Sequence, residues 1–458
     1  MRIRSVTVTK LFDMFDHEIR LNQDSRISII HGPNGIGKTV LMKMINGLFT
    51  SNYGVFLSIP FGSFSVELSS GERVCIEGNY TELETRDAAE GDRDSDPIEE
   101  SLVLRYFDSN GSNEQTYNPK PTRQGLARVR ELAESKPELS SIGSTRWENI
   151  LTGDVLTIEE VIAAYDFQVY LYNEPKWMKD IKRSTRTRLI QAQRLQDPEP
   201  TRPLGFSAYL SSRRRRASSA PKATVVRYSE EIAKEIGNAM AEYGQESQIR
   251  DRSFPKRLIE SDGTELIAQD NLQEKLDELE KKTAKLIKLG LFEDKDVPEI
   301  PKLDDTTQNN LTDVLSIYVQ DIEAKLSKVD AISRQLEILI AIINNRFMCK
   351  TLEIDKRKGF IFKDNKGNEI PKTSLSSGEQ HELILIYQLL FHVEHNSLIM
   401  IDEPELSLHV DWQERFLDDL RDVIAFRHFD LLIATHSPTL VDDKWEWVVG
   451  LRYPEGVC

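Results

Sequence analysis

The sequence predicts an α/β fold: a mixed sheet with flanking helices and an antiparallel β subdomain, interrupted by an inserted helical, coiled-coil hairpin. Three observations predict it. Short apolar-rich runs at Ile27–Ile30, Leu398–Ile401 and Leu431–Ala434 end in loops of glycine, acid or histidine, the pattern of buried parallel strands. Residues 55–79 alternate apolar and polar, as in Phe64-Ser65-Val66-Glu67-Leu68. Between Leu272 and Ile343 apolar residues step by three and four, as in helices packed lengthwise.

Taken in order, residues 3–9 and 26–30 read as strands, the second leading into a glycine-rich loop. Thr39 to Leu48 reads as a helix with Val40, Leu41, Met44, Ile45 and Leu48 facing inward. The alternation of 55–79, turned at Ser70-Gly71, predicts an antiparallel sheet beside that core. Residues 82–100 are acidic and polar and read as a mobile loop. Residues 176–222 are basic, with Lys176, Lys179, Lys182, Arg183, Arg186, Arg188, Arg194 and the run Arg213 to Arg216. Residues 228–250 read as helix.

Leu272, Leu276, Leu279 and Leu286 form one heptad-like segment, and Leu311 through Ile343 form a second, with Pro298 to Asp305 between them. They fit either an antiparallel hairpin or two core-packing helices. Residues 352–370 read as a β-hairpin turning at Asn365-Lys366-Gly367. The expected domains are 1–225 and 349–458, two halves of one core, with 226–348 inserted between them.

The chain has 458 residues, enough for two or three domains, with 29% charged and 39% hydrophobic residues. A net charge of −16 argues against wholesale wrapping of nucleic acid but leaves room for a local basic patch. Cys75, Cys349 and Cys458 form no CxxC pair, which argues against a disulfide framework or zinc site and fits a reducing compartment. No stretch approaches the ~20 apolar residues of a spanning helix. A cytoplasmic protein without membrane contact is expected.

Gly32-Pro33-Asn34-Gly35-Ile36-Gly37-Lys38-Thr39 obeys G-x-x-x-x-G-K-[ST] between a strand and a helix. Gly32, Asn34, Gly35 and Gly37 would turn backbone N–H groups onto the phosphates of ATP. Lys38 would reach the β- and γ-phosphates, and Thr39 would place its hydroxyl on Mg²⁺. Asp402, after an apolar strand, suits the Mg²⁺ shell. Glu403 suits the base that polarises the attacking water. His436, at another strand end, suits either contact with the γ-phosphate or orientation of the water.

Ser376 and Gly378 open a helix, which fits either an anion site or a plain N-cap. An anion site there would complete ATP binding only in a second copy, so the motif order predicts a homodimer with two ATP molecules at its interface. Gln193, preferred over Gln191, is the candidate Mg²⁺-sensing residue. The basic run reads either as a surface for DNA phosphates or as a solvated loop.

This order of motifs fits an ABC-type ATPase. The chain resembles the ABC-class ATPases related to RecF and to the overcoming-lysogenization-defect proteins. The resemblance is carried by the motifs above, by Leu11 to His17, by Gln248 to Arg257 and by Asp402 to Gln413. It is nearest to ATPases of anti-phage defence, the AriA type of PARIS first and the PtuA type of Septu next. The resemblance implies a bacterial immune sensor. It would restrain a separate nuclease effector (TOPRIM-type for PARIS, HNH for Septu), respond to a phage-encoded trigger protein, and assemble beyond the dimer through the helical insert. No nuclease is legible in the chain, so nucleolytic output is expected from another polypeptide. A RecF-like DNA-repair ATPase is the alternative.

Overall fold

The computed structural model describes residues 1–78, 102–111, 114–136, 139–143, 146–150, 155–158, 161–162, 171–191, 224–259, 269–293, 300, 312–406, 408 and 410–451. The expected loop at 82–100, Gln193 and the run Arg213 to Arg216 lie outside the described residues. Two compact units form, Met1–Ser218 with Val393–Cys458, and Ser219–His392.

In the first unit, β1 (Ile3–Leu11) and β2 (Phe15–Arg20) pair antiparallel, and β3 (Ile27–His31) leads to the glycine loop and α1 (Lys38–Thr50). Residues 55–58, expected within the alternating sheet, instead lie in a short helix, α2 (Gly54–Ser58). Its Phe56 ring packs 5.9 Å from Phe61 and 5.3 Å from Phe64, an aromatic contact that overrides the alternation. Then come β4 (Ser63–Leu68), β5 (Arg73–Glu77), β6 (Val103–Phe107) and β7 (Glu114–Tyr117). They extend an antiparallel sheet ordered β2-β1-β4-β5-β6-β7. Gly71, at φ +88°, makes the tight turn between β4 and β5.

Next are α3 (Arg123–Glu134), the small sheet of β8 (Leu139–Ser141), β9 (Arg146–Asn149) and β10 (Val155–Thr157), α4 (Lys176–Ser184) and β11 (Thr187–Gln191).

The second unit contains α5 (Thr224–Ile259), α6 (Gln269–Lys288), α7 (Thr312–Arg346), β12 (Lys350–Asp355), β13 (Gly359–Asp364), β14 (Glu369–Ile370) and α8 (Ser377–Tyr387). A helical hairpin is present, but its partners differ from the expected pair. Ion pairs Arg257–Asp321, Asp251–Lys325 and Glu246–Lys328 descend one helix as they climb the other, so α5 and α7 run antiparallel. Lys275–Glu323, Lys282–Asp330 and Lys285–Glu337 climb together, so α6 runs parallel to α7. Heptad spacing marks a packing face and is blind to direction. The span 352–370 is a three-stranded meander rather than one hairpin, because Asp355 accepts the amides of Arg357 and Lys358 and makes an earlier turn.

Residues 349–392, expected with the core, pack with the helices. The Tyr228 ring stacks on Tyr387 at 4.5 Å, Ser229 bonds to Lys358 and Phe360, and buried Arg346 pairs with Glu382 at 2.9 Å.

The chain then returns to the first unit through β15 (Leu398–Asp402), α9 (Val410–Arg427), β16 (Asp430–Thr435), α10 (Pro438–Val441) and β17 (Val448–Gly450). These build a parallel sheet ordered β11-β15-β16-β3-β17. Every residue of β15 and β16 is buried, as a sheet covered on both faces requires. One apolar core joins Val6 and Val8 of β1, Leu41 and Ile45 of α1, and Met400 and Leu432 of the parallel sheet. The Arg2 guanidinium clasps Asp430, which pins the start of β1 to the start of β16.

Candidate functional site

The parallel register fixes the site. Asp402 lies beside Ala434, and Ala434 beside Ile30, so β15, β16 and β3 end together. The loops after these three strands carry Glu403, His436 and the glycine loop. Topology thus brings together groups some 400 positions apart in sequence.

Gly37 sits at φ +90°, and a Cβ there would stand 2.5 Å from Leu11 Cδ2, so only glycine fits the backbone that opens α1. Lys38 is buried, and its Nζ donates to the carbonyls of Gly32 (2.8 Å) and Pro33 (2.9 Å) and to His436 Nε2 (2.7 Å). An ammonium only donates, so His436 Nε2 accepts through its lone pair. Burial pulls the Lys38 pKa down, against the carboxylates of Glu403, Asp402 and Glu405, which raise it.

The Thr39 hydroxyl donates to Asp402 Oδ1 at 3.1 Å. Burial raises the Asp402 pKa, while Thr39 and the nearby lysines oppose it. A costly buried carboxylate beside a hydroxyl is a donor set that suits Mg²⁺. Glu403 has φ +50°, a left-handed conformation unusual for its type. Its Oε1 stands 3.6 Å from His436 Nε2, and its amide bonds to the Ala434 carbonyl. A cleft of about 450 Å³ opens here, lined by Asn34, Glu403, Glu405, Leu406, Gln413, His436 and Ser437.

Lys38, Thr39, Asp402, Glu403 and His436 are therefore one cluster with the glycine loop. Ser376 and Gly378 belong to the other unit. There Ser376 forms a capping box: its Oγ accepts the Glu379 amide at 3.3 Å, Glu379 accepts the Ser376 amide at 2.7 Å, and Lys350 holds the Glu379 carboxylate. Ser376 and Ser377 are exposed. Gln191 lies beside Asp402 in the sheet register.

Of the basic stretch, Lys182 is half-buried against Glu174, and Arg186 pairs with Glu394, so neither cation stands free on a basic face. Lys176, Lys179 and Arg183 of α4 are exposed.

Three residues of the cluster escaped the sequence reading. Glu405 accepts the Thr435 hydroxyl and the His436 amide. Gln413 accepts the Ser437 hydroxyl. His31 has its pKa lowered by burial and then by His436 and Lys38. The only local signal was the third acid of Asp402-Glu403-Pro404-Glu405, which gives no hint of what it touches.

Residues 179–442 match the family described as "AAA domain, putative AbiEii toxin, Type IV TA system". The chain belongs to that family. As a member it is an AAA-type ATPase, and the matched span holds Ser376, Asp402, Glu403 and His436. A 69-residue stretch is 38% identical to Protein ea59 of Escherichia phage lambda, covering 15% of this chain and 13% of that protein.

Among solved structures, one similar chain is the Smc head domain with an extended coiled coil bound to the C-terminal domain of ScpA, from Pyrococcus furiosus. It has a TM-score of 0.35 at 12% identity, covering 100% of this chain and 94% of that one. Another is the SMC head domain of Thermotoga maritima, with a TM-score of 0.31 at 11% identity, covering 98% and 94%. Among the described residues of this AAA-domain protein, no helix is long and apolar enough to cross a membrane.

Proposed function

We propose that the protein hydrolyses ATP as an ATP-clamped homodimer. We propose further that it serves as the sensor and scaffold subunit of a bacterial anti-phage defence system, controlling a separate nuclease chain. What carries the ATPase reading is the convergence of Lys38, Thr39, Asp402, Glu403 and His436 on the glycine loop. The defence reading is supported by the family's toxin–antitoxin description and by the resemblance to PARIS-type and Septu-type ATPases.

In this mechanism the glycine-loop amides and Lys38 hold the β- and γ-phosphates. Glu403 accepts a proton from water as the water oxygen bonds to the γ-phosphorus. The bond from that phosphorus to the β–γ bridging oxygen breaks, leaving ADP and phosphate. His436 donates a hydrogen bond to the γ-phosphate, and Lys38 neutralises charge that builds there. Thr39 and Asp402, with Gln193, would hold Mg²⁺, which when bound offsets charge on the phosphates. Ser376 and Gly378 of a second copy would close the site.

Purified wild-type protein should turn over ATP, form a larger species with ATP, and bring down a nuclease encoded beside it. A protein with wild-type turnover after Lys38→Ala would overturn the ATPase reading. Unchanged phage plating after deletion of the gene would overturn the defence reading. The exposed Lys176, Lys179 and Arg183 leave a RecF-like second reading, which requires ATP-dependent DNA binding that weakens steeply with salt.

A further inference from the structure

We propose that Glu405 is the positioning residue for His436: its carboxylate holds the His436 backbone and so sets the imidazole between Lys38 and Glu403. This rests on the ATPase reading and adds a residue to it.

β16 ends at Thr435, which is wholly buried, and beyond it the His436 amide has left the sheet ladder. A backbone donor at such a place needs an acceptor. Glu405 Oε1 supplies it at 2.8 Å, and the same oxygen accepts the Thr435 hydroxyl at 2.8 Å. Bonds to a carboxylate are stronger than neutral ones, so this anchor is stiff. The Thr435 hydroxyl in turn accepts the Ser437 amide at 3.0 Å, extending the clamp past the histidine.

Glu405 is itself fixed by what surrounds it. It sits in the 3-10 turn Pro404–Leu406, where the Leu406 amide bonds to the Glu403 carbonyl and the Leu408 amide to the Glu405 carbonyl. The turn thus links Glu403, two residues earlier, to His436. Gln413 fastens the far end of the same loop through Ser437 at 2.7 Å. Glu405 is the member of this network that touches the amide of His436 itself. Its Oε2 is buried and has no hydrogen-bond partner among the described residues. Leaving that oxygen unsatisfied is a cost that a purely structural glutamine would lessen.

The consequence is geometric. His436 Nε2 stands 2.7 Å from Lys38 Nζ and 3.6 Å from Glu403 Oε1. Release of the amide frees the ring to shift by the ångström or so that costs about a hundredfold in a preorganised site.

The test is a double-mutant cycle on full-length protein, reading ATP turnover and ATP affinity for Glu405→Ala, His436→Ala and the pair, with Lys38→Ala as the non-binding control. Glu405→Ala should lower kcat by about tenfold to a hundredfold with the ATP Kd within about twofold. Glu405→Gln, whose amide oxygen still accepts both bonds, should keep most of kcat. The double variant should be no slower than His436→Ala alone, because both changes remove one function. Full multiplication of the two losses, or a Glu405→Ala kcat equal to wild type, overturns the proposal. If Glu405→Ala loses its cooperative melt, Glu405→Met, which keeps the bulk without the acceptor, takes its place in the cycle. Wild-type turnover no faster than Lys38→Ala overturns the ATPase reading itself, and the proposal with it.

Discussion

Lys38 sits at the centre of the site: its one ammonium bridges the glycine loop and His436. Lys38→Ala should remove ATP binding and, with it, at least about a hundredfold of turnover; calorimetry showing wild-type affinity would contradict this. Glu403→Gln should leave ATP affinity intact and cut kcat by about 10²- to 10⁴-fold, the range of a lost general base. Single-turnover hydrolysis at the wild-type rate would assign the base elsewhere. At this scale the sequence was legible wherever spacing is local. The eight residues Gly32 to Thr39 encode their own turn. Asp402 and Glu403 follow a strand that announces itself by being wholly apolar. Glu405 was not legible, because its partners lie some 30 positions away and reach it only once β15 and β16 are paired.

Among the elements, α4 is tied to the C-terminal end of α1 by a buried cluster. Lys182 bonds to Glu174 and, at 2.6 Å, to the Ser51 hydroxyl, and Tyr53 donates to Glu174 at 2.7 Å. Burial works against ionised Glu174, but Lys182, Tyr53 and Ser51 together hold its pKa below the ordinary value. Burial pulls Lys182 down, against Glu174. A carboxyl whose folded pKa is depressed adds stability above its unfolded pKa and loses it as pH falls through the folded value. Glu174→Ala should therefore cost about 3 kcal/mol at pH 7, since it strands a buried cation. The difference from wild type should shrink as pH drops below the usual glutamate range. A melting-temperature gap that stays constant as pH falls from about 5 to about 2 would refute this.

In the helical unit Asp321 is buried and takes two bonds from Arg257, at 2.5 and 2.6 Å. Asp321→Ala should loosen the last turns of α5, seen as faster amide exchange at 246–257, with no change in ATP affinity. Unchanged exchange there would show the clamp to be idle. Sequence gave α6 and α7 their packing faces from leucine spacing. Their parallel direction follows from which charges meet, and that is a pairing between helices and not a property of either one.

Across the whole molecule, the glycine loop and Ser376 fall in different compact units, and Ser376 and Ser377 are exposed. If the second copy completes the site, Ser376→Arg should abolish both ATP-dependent assembly and turnover, while ATP binding by the glycine loop persists. Ser376→Ala, which removes the hydroxyl and with it the N-cap at about 1 kcal/mol but adds no bulk, should weaken assembly and turnover less severely than Ser376→Arg. Light scattering that finds the Ser376→Arg protein assembling with ATP, and turning it over at the wild-type rate, would remove the need for a partner.

By itself the sequence determined the glycine loop, the acidic and histidine strand ends and the helical insert, because each is written in short-range spacing and local burial pattern. Only the tertiary structure decided that Glu405 holds the His436 amide, that α6 runs beside α7 in the same direction, and that Lys182 turns inward to Glu174. Each of those depends on which surfaces the chain buries against one another, and a linear pattern of residue types does not carry that information.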